Sequence, residues 1–264
     1  MFKKTIIAGL VATAFVPALA SAADSPHTLT GNIGIYSQYI FRGLMQTNKE
    51  AALQGGFDYS HSSGFYAGTW MSNVSWLSDA VAYTGSSLEM DFYGGYKGTI
   101  AGDLGFDVGV LQYYYPGNVQ PGFFKADTLE VYGALTWKWL SAKYSHSVSK
   151  KTFGVDNSDG TYYIDLSASF PVTDKLTLSA HYGVQEFDGV SNACGASTSN
   201  DTCASYKDWK IGASYSLPKD FTVGVFFTGT DMSDAQKAFY TNPAAAGSRF
   251  LGKDTTTVYL SKTF

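Results

Sequence analysis

Apolar and aromatic side chains recur at every second position through twelve stretches of this chain, each bounded by Gly, Asn, Asp, Ser or Pro. Such a period-2 pattern is that of a strand with one apolar and one polar face. The stretches run from about 28 to 42, 51 to 60, 65 to 74, 88 to 97, 104 to 115, 128 to 137, 140 to 148, 162 to 170, 176 to 184, 209 to 217, 221 to 229 and 255 to 264. The fourth is the cleanest: Leu88, Met90, Phe92 and Tyr96 alternate with Glu89, Asp91, Tyr93 and Lys97. In the last, Val258, Leu260 and Phe264 share one face, while Thr257, Tyr259, Ser261 and Thr263 share the other. Lys262 interrupts that apolar face close to the chain end, where its long stem reaches a membrane interface. The third stretch is too rich in Gly and Ser to assign its faces, and the seventh is weakly patterned.

The connections alternate in length. Short ones fall near 62–64, 98–103, 138–139, 171–174 and 218–220; long ones fall at 43–50, 73–87, 116–127, 149–160, 187–205 and 231–253. In a meander every second connection lies on the same side, so the alternation predicts tight turns at one end and large loops at the other. The expected fold is all-β: a 12-stranded antiparallel up-and-down transmembrane β-barrel with short periplasmic turns and long extracellular loops. Tyr39, Phe41, Tyr96, Trp137, Phe170, Tyr215 and Phe221 sit where aromatic girdles would. A soluble sandwich, the competing fold, gives no reason for the length alternation.

Residues 1–22 read as a secretory signal peptide: Lys3 and Lys4, an apolar run broken by Pro17, then the small-residue site Ala20-Ser21-Ala22. Residues 23–264 then form a single barrel domain. Loss of Lys3 and Lys4 leaves 16 basic against 22 acidic residues, a net charge of about −6 that disfavours a nucleic-acid partner. Glycine (28), tyrosine (19) and phenylalanine (18) are abundant at near-neutral mean hydropathy, which fits alternating strands better than helical stripes. Cys194 and Cys203 lie in one polar stretch of an exported chain, so a loop disulfide is expected; the stretch lacks the further ligands a metal would need.

The segments SQYIFRGLMQT (37–47), AALQGGFDYSHSSGFYAGTWMSNVSW (51–76), SLEMDFYGGYKG (87–98) and GFDVGVLQYYYPG (105–117) resemble the TorF-family porins, also known as the Gcw_chp family. YIFRG and SGFYAG are the most specific of these. The resemblance spans the mature chain and implies a porin-type barrel in the outer membrane of a Gram-negative bacterium. It carries no catalytic residues.

With apolar faces toward lipid, the expected lumen holds Arg42, Asp58, Glu89, Asp91, Lys97, Asp107, Glu130, Lys143, Asp165, His181 and Lys210, with Gln38 and Gln185. Arg42, Glu89, Asp91 and Glu130 fall toward the long-loop end and form the expected constriction. Two readings stand: a charged ring that favours small polar or cationic solutes, or an internal salt-bridge network that fills the barrel. A register pairing Phe170 with Leu176 would set Asp165 opposite His181, and Ser167 or Ser179 would then be candidate nucleophiles for a lipid hydrolase. A structural Asp–His pair explains the same residues. The function classes are thus a passive channel for small hydrophilic solutes, an outer-membrane hydrolase, and a closed structural or adhesive barrel; the channel is the expected one, with no cofactor. Expected partners are outer-membrane lipid, the solutes, the barrel-assembly machinery through the strand ending in Phe264, and further copies of the chain.

Overall fold

A computed structural model describes residues 25–264; the signal-peptide expectation lies outside them. Twelve antiparallel strands form a closed barrel. In chain order these are β1 (His27–Tyr36), β2 (Ala52–His61), β3 (Phe65–Asn73), β4 (Leu88–Ala101), β5 (Leu104–Tyr114) and β6 (Thr128–Trp137). Then come β7 (Leu140–Ser147), β8 (Tyr162–Pro171), β9 (Leu176–Glu186), β10 (Tyr206–Ser216), β11 (Phe221–Asp231) and β12 (Thr255–Thr263). Each pairs with the next, and β1 closes on β12 with Asn32 opposite Thr263 and Tyr36 opposite Tyr259. Backbone bonds in both directions between Gly31 and Phe264 carry the seam to the last residue. Closure leaves no strand edge unpaired, as a chain surrounded by hydrocarbon requires.

The side-chain distribution is the inverse of a soluble protein's. Leu29, Ile35, Leu53, Phe57, Leu135, Leu178, Ile211 and Val258 are exposed around the outside, whereas Gln54, Ser72, Glu89, Glu130, Gln185, Asp208 and Thr257 are buried. Apolar side chains on the outer wall and polar ones inside are the arrangement a lipid solvent selects. No helix among the described residues is long and apolar enough to cross a membrane, so strands are the spanning elements. The tight turns gather at one end and the six long connections at the other, as the spacing predicts.

The inner wall is built by pairing tyrosines with glycines directly across the sheet. Tyr93 faces Gly68, Tyr66 faces Gly95, Tyr132 faces Gly109 and Tyr259 faces Gly224. A Cβ on Gly68 would lie 2.5 to 2.7 Å from the Tyr93 ring, and one on Gly109 would lie 2.6 Å from the Tyr132 hydroxyl. Glycine therefore makes the seat on which each ring lies flat against the wall. This fixes phenol groups along the lumen: Tyr93 donates to Asp58, and Tyr66 donates to Asp107.

Two expectations are corrected, and one left open is decided. β1 ends at Tyr36 and not at Arg42, so Tyr39 and Phe41 belong to the first long loop and are not girdle residues. Phe170 pairs with Leu178, which sets Ser167 opposite His181 and Asp165 opposite Gly183; the turn Val172–Lys175 closes on its own bonds from Val172 and Thr173 to the Leu176 carbonyl, which shifts the register by two. The faces of β3 are readable in three dimensions, with Tyr66, Trp70 and Ser72 inward, and Lys143 of β7 likewise points into the lumen.

Candidate functional site: a hairpin folded into the barrel mouth

The loop from Ser37 to Ala51 turns inward and makes a small hairpin of Ile40–Phe41 paired with Leu44–Met45. Its two turn residues, Arg42 and Gly43, have φ of 45° and 78°, the left-handed pair that a two-residue hairpin demands and that glycine at the second place makes accessible. Gly43 also lies against the barrel wall: a Cβ there would meet Asp208 at 2.6 Å and Thr230 at 2.8 Å. The YIFRG segment is thus the tip of this hairpin.

From its root to its tip the hairpin is bonded to strands on opposite sides of the barrel. The Gln38 side-chain nitrogen donates to Thr255 Oγ1 (2.8 Å) and to the Thr256 carbonyl (3.0 Å). Tyr39 donates its hydroxyl to Glu89 Oε1 at 2.7 Å. At the tip, Arg42 Nη2 donates to both Glu130 oxygens at 2.9 and 2.8 Å, and Nη1 donates to Gln185 Oε1 at 2.7 Å. The guanidinium also lies 4.2 Å from the centroid of Tyr163 and 4.9 Å from that of Phe41, within reach of cation–π attraction. Behind the tip, Leu44 and Met45 pack on Tyr206, Met232 and Leu251, and Phe153 from the loop 148–161 packs on Phe41 and Tyr113.

The consequence is a barrel closed in its outer half. Arg42 and Glu130 side chains are 7% and 3% exposed, and Glu89 is fully buried. Towards the tight turns the lumen opens: Asp58, Asp107, Lys143 and Lys210 are partly exposed and Lys97 is exposed. The cations there rest over rings, Lys143 at 3.8 Å from Tyr132, Lys97 at 5.1 Å from Tyr66 and Lys210 at 5.5 Å from Phe226.

Of the residues assigned to the constriction from sequence, the structure gathers Arg42 with Glu130, and it places Glu89 and Asp91 at alternate positions on the inner face of β4, with Glu89 held by Tyr39. Glu89 Oε2 and Asp91 Oδ1 are buried without a hydrogen-bond partner among the described residues. Asp165, His181 and Lys210 form a second group. His181 Nδ1 lies 3.2 Å from Asp165 and 3.2 Å from Ser167 Oγ, and its Nε2 lies 2.9 Å from Asp208 and 3.0 Å from Tyr163. Ser167 donates its hydroxyl to Asp165 and not to the imidazole. Both ring nitrogens face carboxylates, and the backbone N–H groups around them belong to the strand ladder, so a nucleophile, a free base and an oxyanion donor are not assembled here.

Asp208 and Tyr163 were not among the residues singled out from sequence. Asp208 lies one position before the stretch read as a strand, and β10 begins earlier, at Tyr206; Tyr163 carries no charge to draw notice. Gly43 directly after Arg42 was the available signal for the hairpin. Cys194 and Cys203 form the disulfide, with 5.5 Å between their Cα atoms, in the loop after β9.

Residues 20–264 match the family described as "Bacterial protein of unknown function (Gcw_chp)". The chain belongs to the Gcw_chp family. No curated protein matches this Gcw_chp sequence. Among solved structures, the KdgM porin shares 8% identity and a TM-score of 0.54, with 89% of this chain and 99% of that chain covered. A KdgM porin in complex with disordered oligogalacturonate gives 7% and 0.50, covering 89% and 98%. The NanC porin gives 10% and 0.50, covering 90% and 99%. At such identities the likeness is one of fold: the Gcw_chp barrel has the architecture of these porins.

Proposed function

We propose that this Gcw_chp barrel is a porin-like channel of the Gram-negative outer membrane, for passive diffusion of small hydrophilic solutes, captured with its mouth closed by the hairpin at Arg42. The observation that carries the reading is the polar, charged interior behind an apolar outer wall, with an open half-lumen on the tight-turn side. A purely structural barrel has no need of a charged half-open lumen, and charges buried in one are costly to keep. The porin architecture and the resemblance of the YIFRG and SGFYAG segments to TorF-family porins support the same reading. The lumen differs in charge from what an anionic oligosaccharide such as oligogalacturonate would favour: Asp58, Glu89, Asp91, Asp107, Glu130, Asp165 and Asp208 outnumber Arg42, Lys97, Lys143 and Lys210 with His181. Small cationic or neutral solutes therefore suit it. No covalent step is involved, and the His181 group serves as an internal network joining β8, β9 and β10. The barrel-assembly machinery would engage β12 and its terminal Phe264, and lipid would cover the outer wall; association of copies through that wall is also compatible with its apolar surface.

The test is single-channel current in planar bilayers, from the native barrel and from one in which 39–46 are replaced by a short Gly-Ser link. The native barrel is expected to show long closed periods and the trimmed one a persistently open level several-fold larger in mean current. A trimmed, folded barrel that passes no current would sink the channel reading.

A further inference from the structure

Arg42 is a side chain of the chain's own hairpin, yet the surroundings of its guanidinium are those of a ligand site. Glu130 on β6 supplies two carboxylate oxygens, Gln185 on β9 supplies an amide oxygen, and Tyr163 on β8 supplies a ring face at 4.2 Å. The amide of Gln185 has no freedom to turn, because its nitrogen donates to the Tyr162 carbonyl at 3.0 Å, which leaves the oxygen facing inward. Glu130 has no hydrogen-bond donor other than Arg42 among the described residues, and both it and Gln185 are 2% exposed. These wall residues are held by three barrel strands, while the hairpin comes to them from a loop. Moving the hairpin out would leave a preorganised carboxylate, amide oxygen and aromatic face with nothing to neutralise the buried charge. A planar cation with several N–H donors fits such a set better than a spherical ammonium does.

From this geometry we infer that Glu130, Gln185 and Tyr163 form a binding site for alkylguanidinium solutes, occupied in the closed barrel by Arg42 as an internal stand-in. Opening and solute binding are then competitive: a guanidinium-bearing solute that takes the site keeps the hairpin from returning. The binding site stands on the wall geometry alone; its assignment to a permeating solute rests on the channel reading above. Lys143 is the other cation of this wall, but its ammonium sits over the Tyr132 ring and makes no ion pair with Glu130.

The experiment is chemical rescue in the mature full-length barrel, folded in detergent and checked for heat-modifiable migration. Arg42→Ala is expected to lower the thermal unfolding midpoint. Methylguanidinium chloride at low-millimolar concentration should restore most of the loss in a saturable way, methylammonium and potassium chloride should not, and the native barrel should not respond because its site is already filled. Adding Glu130→Gln to Arg42→Ala should abolish the rescue. Arg42→Gln, a shorter uncharged side chain that keeps two N–H donors, enters the same series should the alanine variant not fold. Rescue no better than that by potassium, or rescue that survives Glu130→Gln, overturns the site; so does a Glu130→Ala barrel rescued by acetate in the absence of any guanidinium effect, since the site would then serve anions through Arg42. A Lys143 ammonium moving onto Glu130 would likewise remove the rescue and the inference with it. None of these readouts needs current to flow: a rescued barrel that never conducts retains the site and loses the channel, and a conducting barrel without rescue does the reverse.

Discussion

Arg42 combines a backbone conformation that L-residues avoid with a buried charge, and both costs are offset only because its partners are in place. A guanidinium removed from water is tolerable when each N–H finds an acceptor and a carboxylate balances it. Arg42→Ala therefore does more than remove a contact, because it strands Glu130. The expected loss is about 3–5 kcal/mol for breaking a buried pair by removing one member, and Arg42→Ala with Glu130→Gln should cost clearly less than the sum of the two single changes. Denaturant unfolding of the four barrels in detergent, read as a double-mutant cycle, checks this; strict additivity would mean that the pair carries no coupling. At this scale strand parity alone gives the inward direction of Glu89, Asp91 and Glu130, whereas Asp208 escapes it by lying just outside the stretch that the pattern marks as a strand. It could not tell that Arg42 enters from a loop, because Tyr39 and Phe41 continue the alternation of Ile33 and Ile35 across a bend that only the Arg42-Gly43 turn reveals. Nor could it pair Asp165 with His181 correctly: they meet diagonally, and Asp208 takes the other ring nitrogen.

Among the elements, what fixes each strand beside its neighbour is both the ladder and the fit of rings onto glycines. Tyr259 on Gly224 joins β12 to β11 beside the closing seam, and a Cβ at Gly224 would fall inside contact distance of the Tyr259 ring. Gly224→Ala should destabilise the barrel by about 1–3 kcal/mol, the range for forcing atoms into a packed site. Gly133 on β6 has nothing within 4 Å of where its Cβ would stand, so Gly133→Ala is the matched control and should be close to neutral. Unfolding midpoints measured side by side decide the matter, and equal effects at the two positions would refute the seating role. The existence and order of the strands were legible because parity and connection length report on backbone geometry. The tyrosine seats were not, since a glycine in a strand reads the same whether it receives a ring or only weakens the ladder. The register between β8 and β9 was likewise hidden, because the turn after Pro171 and not the hydrophobic pattern sets it.

For the molecule as a whole, the hairpin divides the lumen into a sealed outer half and a wet inner half, so the residues that could select ions are not all in contact with water at once. Glu89 and Asp91 lie in the sealed half, behind Tyr39, with one oxygen each lacking a partner among the described residues. In the native closed barrel they meet no passing ion. In the barrel with 39–46 replaced, Tyr39 and Arg42 are gone together, and the two carboxylates face the path alongside Glu130. Removing a guanidinium and uncovering three carboxylates both raise the negative potential there, so the trimmed barrel should be clearly cation-selective. Glu89→Gln with Asp91→Asn in that background takes away two of the three charges and should bring the cation-to-anion permeability ratio back towards unity. In the native barrel the same double change acts only while the hairpin is out, since the closed state passes no current. Reversal potentials under a potassium chloride gradient compare the trimmed barrel with and without the double change, and raising the salt should shrink the difference because exposed charges in a wet lumen are screened within about 10 Å at 0.1 M. If the double change leaves the selectivity of the trimmed barrel where it was, these carboxylates do not face the solute's path.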